Sequence, residues 1–263
     1  MDDERRGAYL ERINHSGSTS PDLPTLAALQ RAHLLAVPFE NLDIHLGRWI
    51  ELDIDAIIRK IVNDRRGGFC YELNGGFAEL LRALGYQVTM LEARVSNDGT
   101  AGVAFDHLAL AVVLGSDRYL ADVGFGAFSD EPLALDSRTD QQDSAGVFRI
   151  ADRGDGWLDV FDNDVHAYRF SPIPHRFADF QAGCSYHQTA ASHFTTGTVC
   201  SLRTPRGRVT ISGLTLTETV DGVKSTTGLT SAELGPVLTG QFGIVLDDEG
   251  LAGLSKAPKR TVG

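Results

Sequence analysis

The sequence predicts an α+β protein in which helices come first and an antiparallel sheet follows. Apolar residues recur at helical spacing through the first ninety positions and at strand spacing after Gly85. Turn signals such as Gly115-Ser116-Asp117 and Asp152-Arg153-Gly154-Asp155-Gly156 then separate short apolar segments.

The helices can be justified one by one. Residues 24–35 place Leu26, Leu29 and Leu34 near one face, and Pro38 ends that helix because it disfavours helical backbone in the residue before it. Residues 53–62 align Ile54, Ile57, Ile58 and Ile61 as a stripe. Residues 71–84 bury Leu73, Phe77, Leu80, Leu81 and Leu84 and stop at Gly85, the usual place for a helix-ending glycine. Gly75 and Gly76 inside this helix each cost about 0.5–1 kcal/mol relative to alanine. Either a close approach of backbone or substrate, or tight helix packing alone, accounts for them.

The strand-like segments are 86–95, 107–114, 118–123, 147–150, 157–161 and 167–170, which suggest an antiparallel barrel or sandwich. The last part mixes strands at 199–203 and 208–211 with a late helix whose capping box is Thr230 and Glu233. A chain of 263 residues with this pattern forms one large domain or two to three small ones.

The formal charge of -11 argues against nucleic-acid binding, since phosphate backbones are held by clustered Lys and Arg. No run of eighteen apolar residues predicts a membrane span, and the charged first residues have no apolar stretch behind them, so a cytoplasmic location is the default. Cys70, Cys184 and Cys200 have neither disulfide-framework nor zinc spacing, which suits a reducing compartment. His187, His193, Asp162 and Asp164 match no known zinc or calcium loop and read as surface or locally hydrogen-bonded residues, so no metal is expected.

Cys70 is the candidate for the chemistry, the alternative being a buried inert thiol, which is what most cytosolic cysteines are. It follows Arg65-Arg66-Gly67-Gly68-Phe69 and opens the third helical segment. A thiol is a nucleophile only as thiolate, and its pKa of about 8.5 falls at a helix N-terminus or beside cations. Such a nucleophile also needs a base, and the base an orienting group. His107 opens one apolar run and Asp122 closes the next. Each alone is weak, because a histidine entering an apolar strand is more often a satisfied core residue and acids often mark strand ends; the combination is informative. In a simple hairpin turning near Ser116, however, Asp122 lies opposite about Leu110, three residues or about 10 Å from His107. Either a bulge brings His107 back or the strands pair differently. Gly124-Phe125-Gly126 lacks the third glycine and following helix of a dinucleotide loop.

At these residues the chain resembles the arylamine N-acetyltransferases. The match runs through Val37-Pro38-Phe39-Glu40-Asn41-Leu42, Arg66-Gly67-Gly68-Phe69-Cys70-Tyr71-Glu72-Leu73-Asn74, Ala93-Arg94-Val95, His107-Leu108 and Asp122-Val123-Gly124-Phe125-Gly126, in order over roughly the first half of the chain. The resemblance implies an N-terminal helical bundle (1–86) carrying Cys70, a central antiparallel β-barrel (87–185) carrying His107 and Asp122, and a C-terminal α/β lid (186–263), with a cysteine-protease-like Cys-His-Asp core. It implies acetyl transfer from acetyl-CoA, a co-substrate and not a tightly bound cofactor, to an arylamine, arylhydrazine or arylhydroxylamine through acetyl-Cys70. Phe39, Val95 and Phe125 then line the amine pocket, with Phe69 and Tyr71 also assigned to substrate, and the backbone of Gly124 and Gly126 approaches the donor. The Tyr71 N–H, just after the nucleophile, is a candidate oxyanion donor.

The partners implied are small molecules, with a monomer or homodimer expected. A polyanionic donor needs a local basic patch, for which Arg65, Arg66 and Arg94 are candidates. Some positions depart from the family pattern: Cys184 stands where Asn is frequent, Ala190 or Ala191 where Pro is expected, and Ala127 where a second glycine is frequent. They fall in donor- and acceptor-binding regions. The alternative reading is therefore an amide synthase taking a polyketide chain from an acyl carrier protein's thioester to an aromatic amine, and a more distant one a cysteine hydrolase.

Overall fold

The computed structural model describes residues 1–97 and 100–256. Helix α1 (Asp3–Arg12) is capped by Asp2 and α2 (Leu23–Ala36) by Asp22, each carboxylate accepting a first-turn backbone N–H. Val37 is extended ahead of Pro38, as a residue before proline must be. There follow the two-residue strand β1 (Phe39–Glu40), the short helix α3 (Leu42–His45), α4 (Ile54–Val62), capped by Asp53, and α5 (Cys70–Ala83). Helices α1 and α3 were not distinguished in the sequence, whereas α2, α4 and α5 lie within a residue of the expected spans. The glycines inside α5 are explained by packing. A Cβ on Gly75 would lie 2.7 Å from the Phe177 ring, and one on Gly76 3.0 Å from the Ile61 and Tyr9 side chains.

The next strands are β2 (Gln87–Asn97), β3 (Thr100–Ala101), β4 (His107–Leu114), β5 (Asp117–Ala121), β6 (Leu133–Ala134), β7 (Gln141–Gln142), β8 (Val147–Asp152), β9 (Leu158–Asp162) and β10 (Val165–His175). They pair antiparallel in the order β6-β5-β4-β2-β10-β9-β8-β7, with β3 beside β2, forming a nearly closed barrel. Strand β4 is buried on both faces. Leu108, Leu110 and Val112 pack with α5, and Ala109 and Ala111 point into the barrel with Phe148, Ile150, Val160 and Phe170. That double burial is why its sequence is an unbroken apolar run instead of an alternating one.

After the short helix α6 (Gln181–His187), a second sheet is built from β11 (Val199–Thr204), β12 (Gly207–Ser212), β13 (Thr215–Val220) and β14 (Val223–Gly228), with β1 from the N-terminal part added at its edge. One face, with Cys200, Val209, Ile211 and Leu216, packs on Leu234, Leu238 and Phe242 of α7 (Ser231–Phe242). The capping box expected at Thr230 and Glu233 starts that helix. Helix α8 (Asp248–Lys256) packs against α7. Among the described residues no helix is long and apolar enough to cross a membrane.

Candidate active site

The start of α5 is held in place by buried charge. Gly67 and Gly68 run against Pro38 and Glu40: a Cβ on Gly67 would meet the Pro38 carbonyl oxygen at 1.8 Å, and the Gly68 carbonyl accepts Glu40 N–H at 2.8 Å. Arg66 is buried and donates to Glu40 and Asp43, while Lys60 bridges Asp43 and Glu72, both at 2.7 Å. Burial alone would lower the pKa of both cations, but the surrounding carboxylates raise it above the ordinary values, so the network stays charged. Glu72 in turn accepts the Phe69 N–H, closing the first turn whose first residue is Cys70. The nucleophile candidate thus sits at the dipole-positive end of a braced helix.

His107 opens β4 beneath it. Its Nε2–H donates to Asp122 Oδ2 at 2.7 Å, which leaves Nδ1 as the nitrogen available to the Cys70 thiol. The hairpin β4–β5 turns at Gly115-Ser116 with Leu114 opposite Asp117, and its register is regular to Leu110 opposite Ala121. Continued one step, that register sets Asp122 across from Ala109 and not Leu110. The single-residue difference corrects the strand arithmetic, because positions 107 and 109 share a face while 107 and 110 do not. The remaining diagonal is within reach of the two side chains, and neither a bulge nor another pairing is needed.

Asp122 is fully satisfied: its Oδ1 accepts from Asn74 Nδ2 at 2.8 Å and from Gly124 N–H at 2.9 Å. Burial pushes its pKa up, but His107, Asn74 and Gly124 more than offset this and hold it below the ordinary carboxylate value. Burial likewise pushes His107 down, and Asp122, with a contribution from Cys70, overrides it to raise the imidazole to about 10. Asn74 was not singled out in the sequence. It lies four residues after Cys70, on the same helical face, and also donates to Leu108 O and accepts Val123 N–H, so one amide ties α5 to β4 and to the chain after β5. Tyr168 packs on His107 and Phe125 with its hydroxyl buried and facing the Asp122 charge.

A cavity of about 260 Å³ opens above Cys70 and His107. Phe39, Val95, Phe125, Phe194 and Val199 form its apolar wall, and Asp106, His187 and His193 a polar one, with Gly124 backbone between. Phe69 and Tyr71 lie beneath this wall and not on it: both are fully buried, Phe69 edge-on to Phe194, and the Tyr71 hydroxyl donates to the Phe105 and Asp106 carbonyls. Gly126, with φ +95°, turns the chain beside Phe39. His187 is not a surface residue. It is buried, donates from Nε2 to Asp106 at 3.0–3.1 Å and accepts from Ser192 at Nδ1. Local spacing gave no sign of this, because Asp106 is 81 residues away. Cys184 and Cys200 are buried packing residues with thiol pKa values raised by burial. Among the described residues no group of three or more His, Cys, Asp or Glu side chains is placed to hold a metal ion.

Gly124 allows the chain after Asp122 to pass Cys70 closely. An added Cβ would lie 2.7 Å from Cys70 Cα and 2.7 Å from Asn74 Nδ2. Gly124→Ala should therefore destabilise the protein by about 1–3 kcal/mol, as overpacking does, and slow alkylation of Cys70. Denaturant midpoints and iodoacetamide labelling check this; unchanged values for both would contradict the packing described.

A family model described as N-acetyltransferase matches residues 22–251. The chain is 36% identical to an arylamine N-acetyltransferase of Gallus gallus (pineal gland isozyme NAT-3) over 91% of this chain and 93% of that one. It is 34% identical to the arylamine N-acetyltransferase of Escherichia coli over 91% and 89%. Among solved structures, the Mycobacterium marinum arylamine N-acetyltransferase in complex with CoA superposes with a TM-score of 0.87 at 34% identity, covering 96% of this chain and 99% of that one. The Salmonella typhimurium enzyme gives 0.90 at 28% identity, covering 97% and 98%. A family model spanning most of the chain, and relatives this similar along nearly their whole length, establish that the chain belongs to the arylamine N-acetyltransferase family.

Proposed function

We propose that the protein moves an acetyl group from acetyl-CoA to an aromatic amine or hydrazine through acetyl-Cys70. The observation that carries this reading is the buried Cys70, His107 and Asp122 array opening into a cleft walled by aromatic rings. His107 takes the thiol proton, and the Cys70 sulfur attacks the thioester carbonyl of the donor. The tetrahedral intermediate collapses with loss of CoA thiolate, which receives the proton from His107. The amine then attacks acetyl-Cys70, its proton passes to His107, and the thiolate leaves.

Asp122 keeps the imidazole in one orientation and stabilises its charged form. The Tyr71 N–H, in the unpaired first turn of α5, faces the developing oxyanion. Phe39, Val95 and Phe125 supply stacking surface and exclude water that would hydrolyse the thioester, with Phe69 and Tyr71 as their backing. Gly124 and Gly126 present side-chain-free backbone along the donor's approach.

Initial-rate kinetics with acetyl-CoA and an arylamine varied together test the scheme. Parallel double-reciprocal lines are expected for two half-reactions separated by release of CoA. Intersecting lines would show that both substrates must bind before chemistry and would contradict the acetyl-cysteine intermediate.

A further inference from the structure

We propose that Arg208, flanked by Arg203 and Arg206, anchors the phosphate groups of the CoA donor in a cavity between the lid sheet and the barrel. This rests on the acyl-CoA reading above and adds where the anionic half of the donor is held.

A chain with a net charge of -11 needs a local cationic site for such a ligand, and the arginines suggested by the sequence do not form one. Arg66 is locked between Glu40 and Asp43. Arg94 pairs with Glu92 and lies over the Trp157 ring. Arg65 is exposed and does not border the cleft.

The lid sheet supplies the alternative. Phe39 pairs with Ser201, Arg203 with Arg208, and Arg208 with Thr219. Because side chains alternate and paired residues share a face, Phe39, Ser201, Arg203, Arg208 and Thr219 all stand on the face opposite the one packed on α7. That face looks across to the barrel, where Arg203 donates to both carboxylate oxygens of Asp130 at 2.7 Å. Between the two lies a cavity of about 570 Å³, bordered by Arg203, Arg206, Arg208 and Asp221 on the lid and by Phe128, Phe148 and Asp162 on the barrel, with Ala127 at its rim. Ala127 follows Gly126 directly, so this cavity and the Cys70 cleft lie at the two ends of one loop, Gly124 to Phe128. Phe39 and Arg208 are two inter-strand steps and two residues apart, about 12 Å, a separation that a pantetheine arm spans.

Within this cavity the three arginines differ. Arg203 is neutralised by Asp130 and Arg206 by Asp221. Arg208 donates only to the Ser201 hydroxyl, at 3.1 Å, and forms no ion pair among the described residues. Burial, and then the charge of Arg203, push its pKa down to about 10. A half-buried guanidinium without a counter-ion is costly unless an anion completes the site. Its planar donor fork matches a phosphate group.

The test compares acetyl-CoA, acetyl-dephospho-CoA and S-acetylpantetheine, which carries the same thioester without phosphates. In the wild type, KM should be lower for acetyl-CoA than for S-acetylpantetheine, and Arg208→Ala should raise the acetyl-CoA KM on the order of tenfold or more, the worth of one charged hydrogen-bonded contact. The S-acetylpantetheine KM should move far less, and Arg208→Lys should restore part of the loss. Thr219→Glu, which brings a carboxylate to the same wall without removing Arg208, should raise the acetyl-CoA KM as well. Acetyl-dephospho-CoA separates the 3′-phosphate from the pyrophosphate: a KM close to that of acetyl-CoA assigns the anchor to the pyrophosphate.

An acetyl-CoA KM unchanged in both Arg208→Ala and Thr219→Glu would overturn the assignment, as would a parallel rise for acetyl-CoA and S-acetylpantetheine. Wild-type protein that turned over neither thioester would instead count against the acyl-transfer reading itself.

Discussion

Cys70→Ser should abolish measurable acetyl transfer, with kcat lowered by roughly 10⁵-fold or more, while the protein stays folded. Removing the nucleophile of a triad costs factors of this size or larger in enzymes that act through an acyl intermediate. The substitution exchanges sulfur for oxygen in a buried site without adding bulk, so the thermal midpoint should shift by only a few degrees. A hydroxyl has a far less available proton than a thiol, and His107 alone does not make up the difference. Steady-state transfer assays beside circular-dichroism melts check both halves. Residual transfer within tenfold of wild type would mean that another group carries the acetyl.

Asp122→Asn should be nearly as damaging to rate and more damaging to stability. The amide keeps the shape but cannot serve as the anionic acceptor that fixes His107, and loss of the equivalent carboxylate in a serine triad costs about 10⁴-fold. Its NH2 group also meets donors in either orientation, Asn74 Nδ2 and Gly124 N–H at the Oδ1 position or the His107 Nε2–H at the Oδ2 position.

The pH dependence has a defined sign. The raised His107 value gives stability that is fully present below the unfolded imidazole value of 6.5 and is lost as pH rises towards about 10. The lowered Asp122 value gives stability that is present above the unfolded carboxylate value of 3.8 and is lost as pH falls through the folded value. The stability gap between wild type and Asp122→Asn should therefore be widest between about pH 4 and pH 6.5 and should narrow on either side. Urea midpoints across pH 3 to 10 measure it, and a gap that stayed constant would mean that the pair contributes nothing through its charges.

The elements most legible in the sequence were those buried on one face by a strong period. Ile54, Ile57, Ile58 and Ile61 fixed α4, and Gly85 marked a helix end by local chemistry that needs no tertiary context. The hairpin β13–β14 was missed because nothing in β14 is buried, so no apolar alternation exists to read. Its turn was visible in retrospect: Asp221 and Gly222 both have positive φ, the backbone that an Asp-Gly pair provides. Strand β1 could not be anticipated locally, since two residues become a strand only by pairing with Ser201 and Cys200 far along the chain.

In the site, the Cys70, His107 and Asp122 set was readable as a combination, but its register turned on whether the hairpin is centred on Ser116 or between Gly115 and Ser116. Half a residue at the turn becomes one residue at Asp122 and reverses the face. Asn74 was within reach of sequence reasoning, being a polar residue four positions from Cys70 on a buried helix face. His187 and Arg208 were not, because each is defined by a partner, or by the lack of one, that only the packed chain reveals.

The most direct test of the account is intact-protein mass spectrometry after brief exposure to acetyl-CoA, with Cys70→Ser alongside and an arylamine such as 5-aminosalicylate added afterwards. A single added acetyl group is expected on wild type only, discharged when the amine arrives. No adduct, although Cys70 alkylates rapidly, would contradict acetyl-CoA as donor and turn attention to a carrier-bound thioester. An adduct that also formed on Cys70→Ser would contradict the central claim that Cys70 carries the acetyl group.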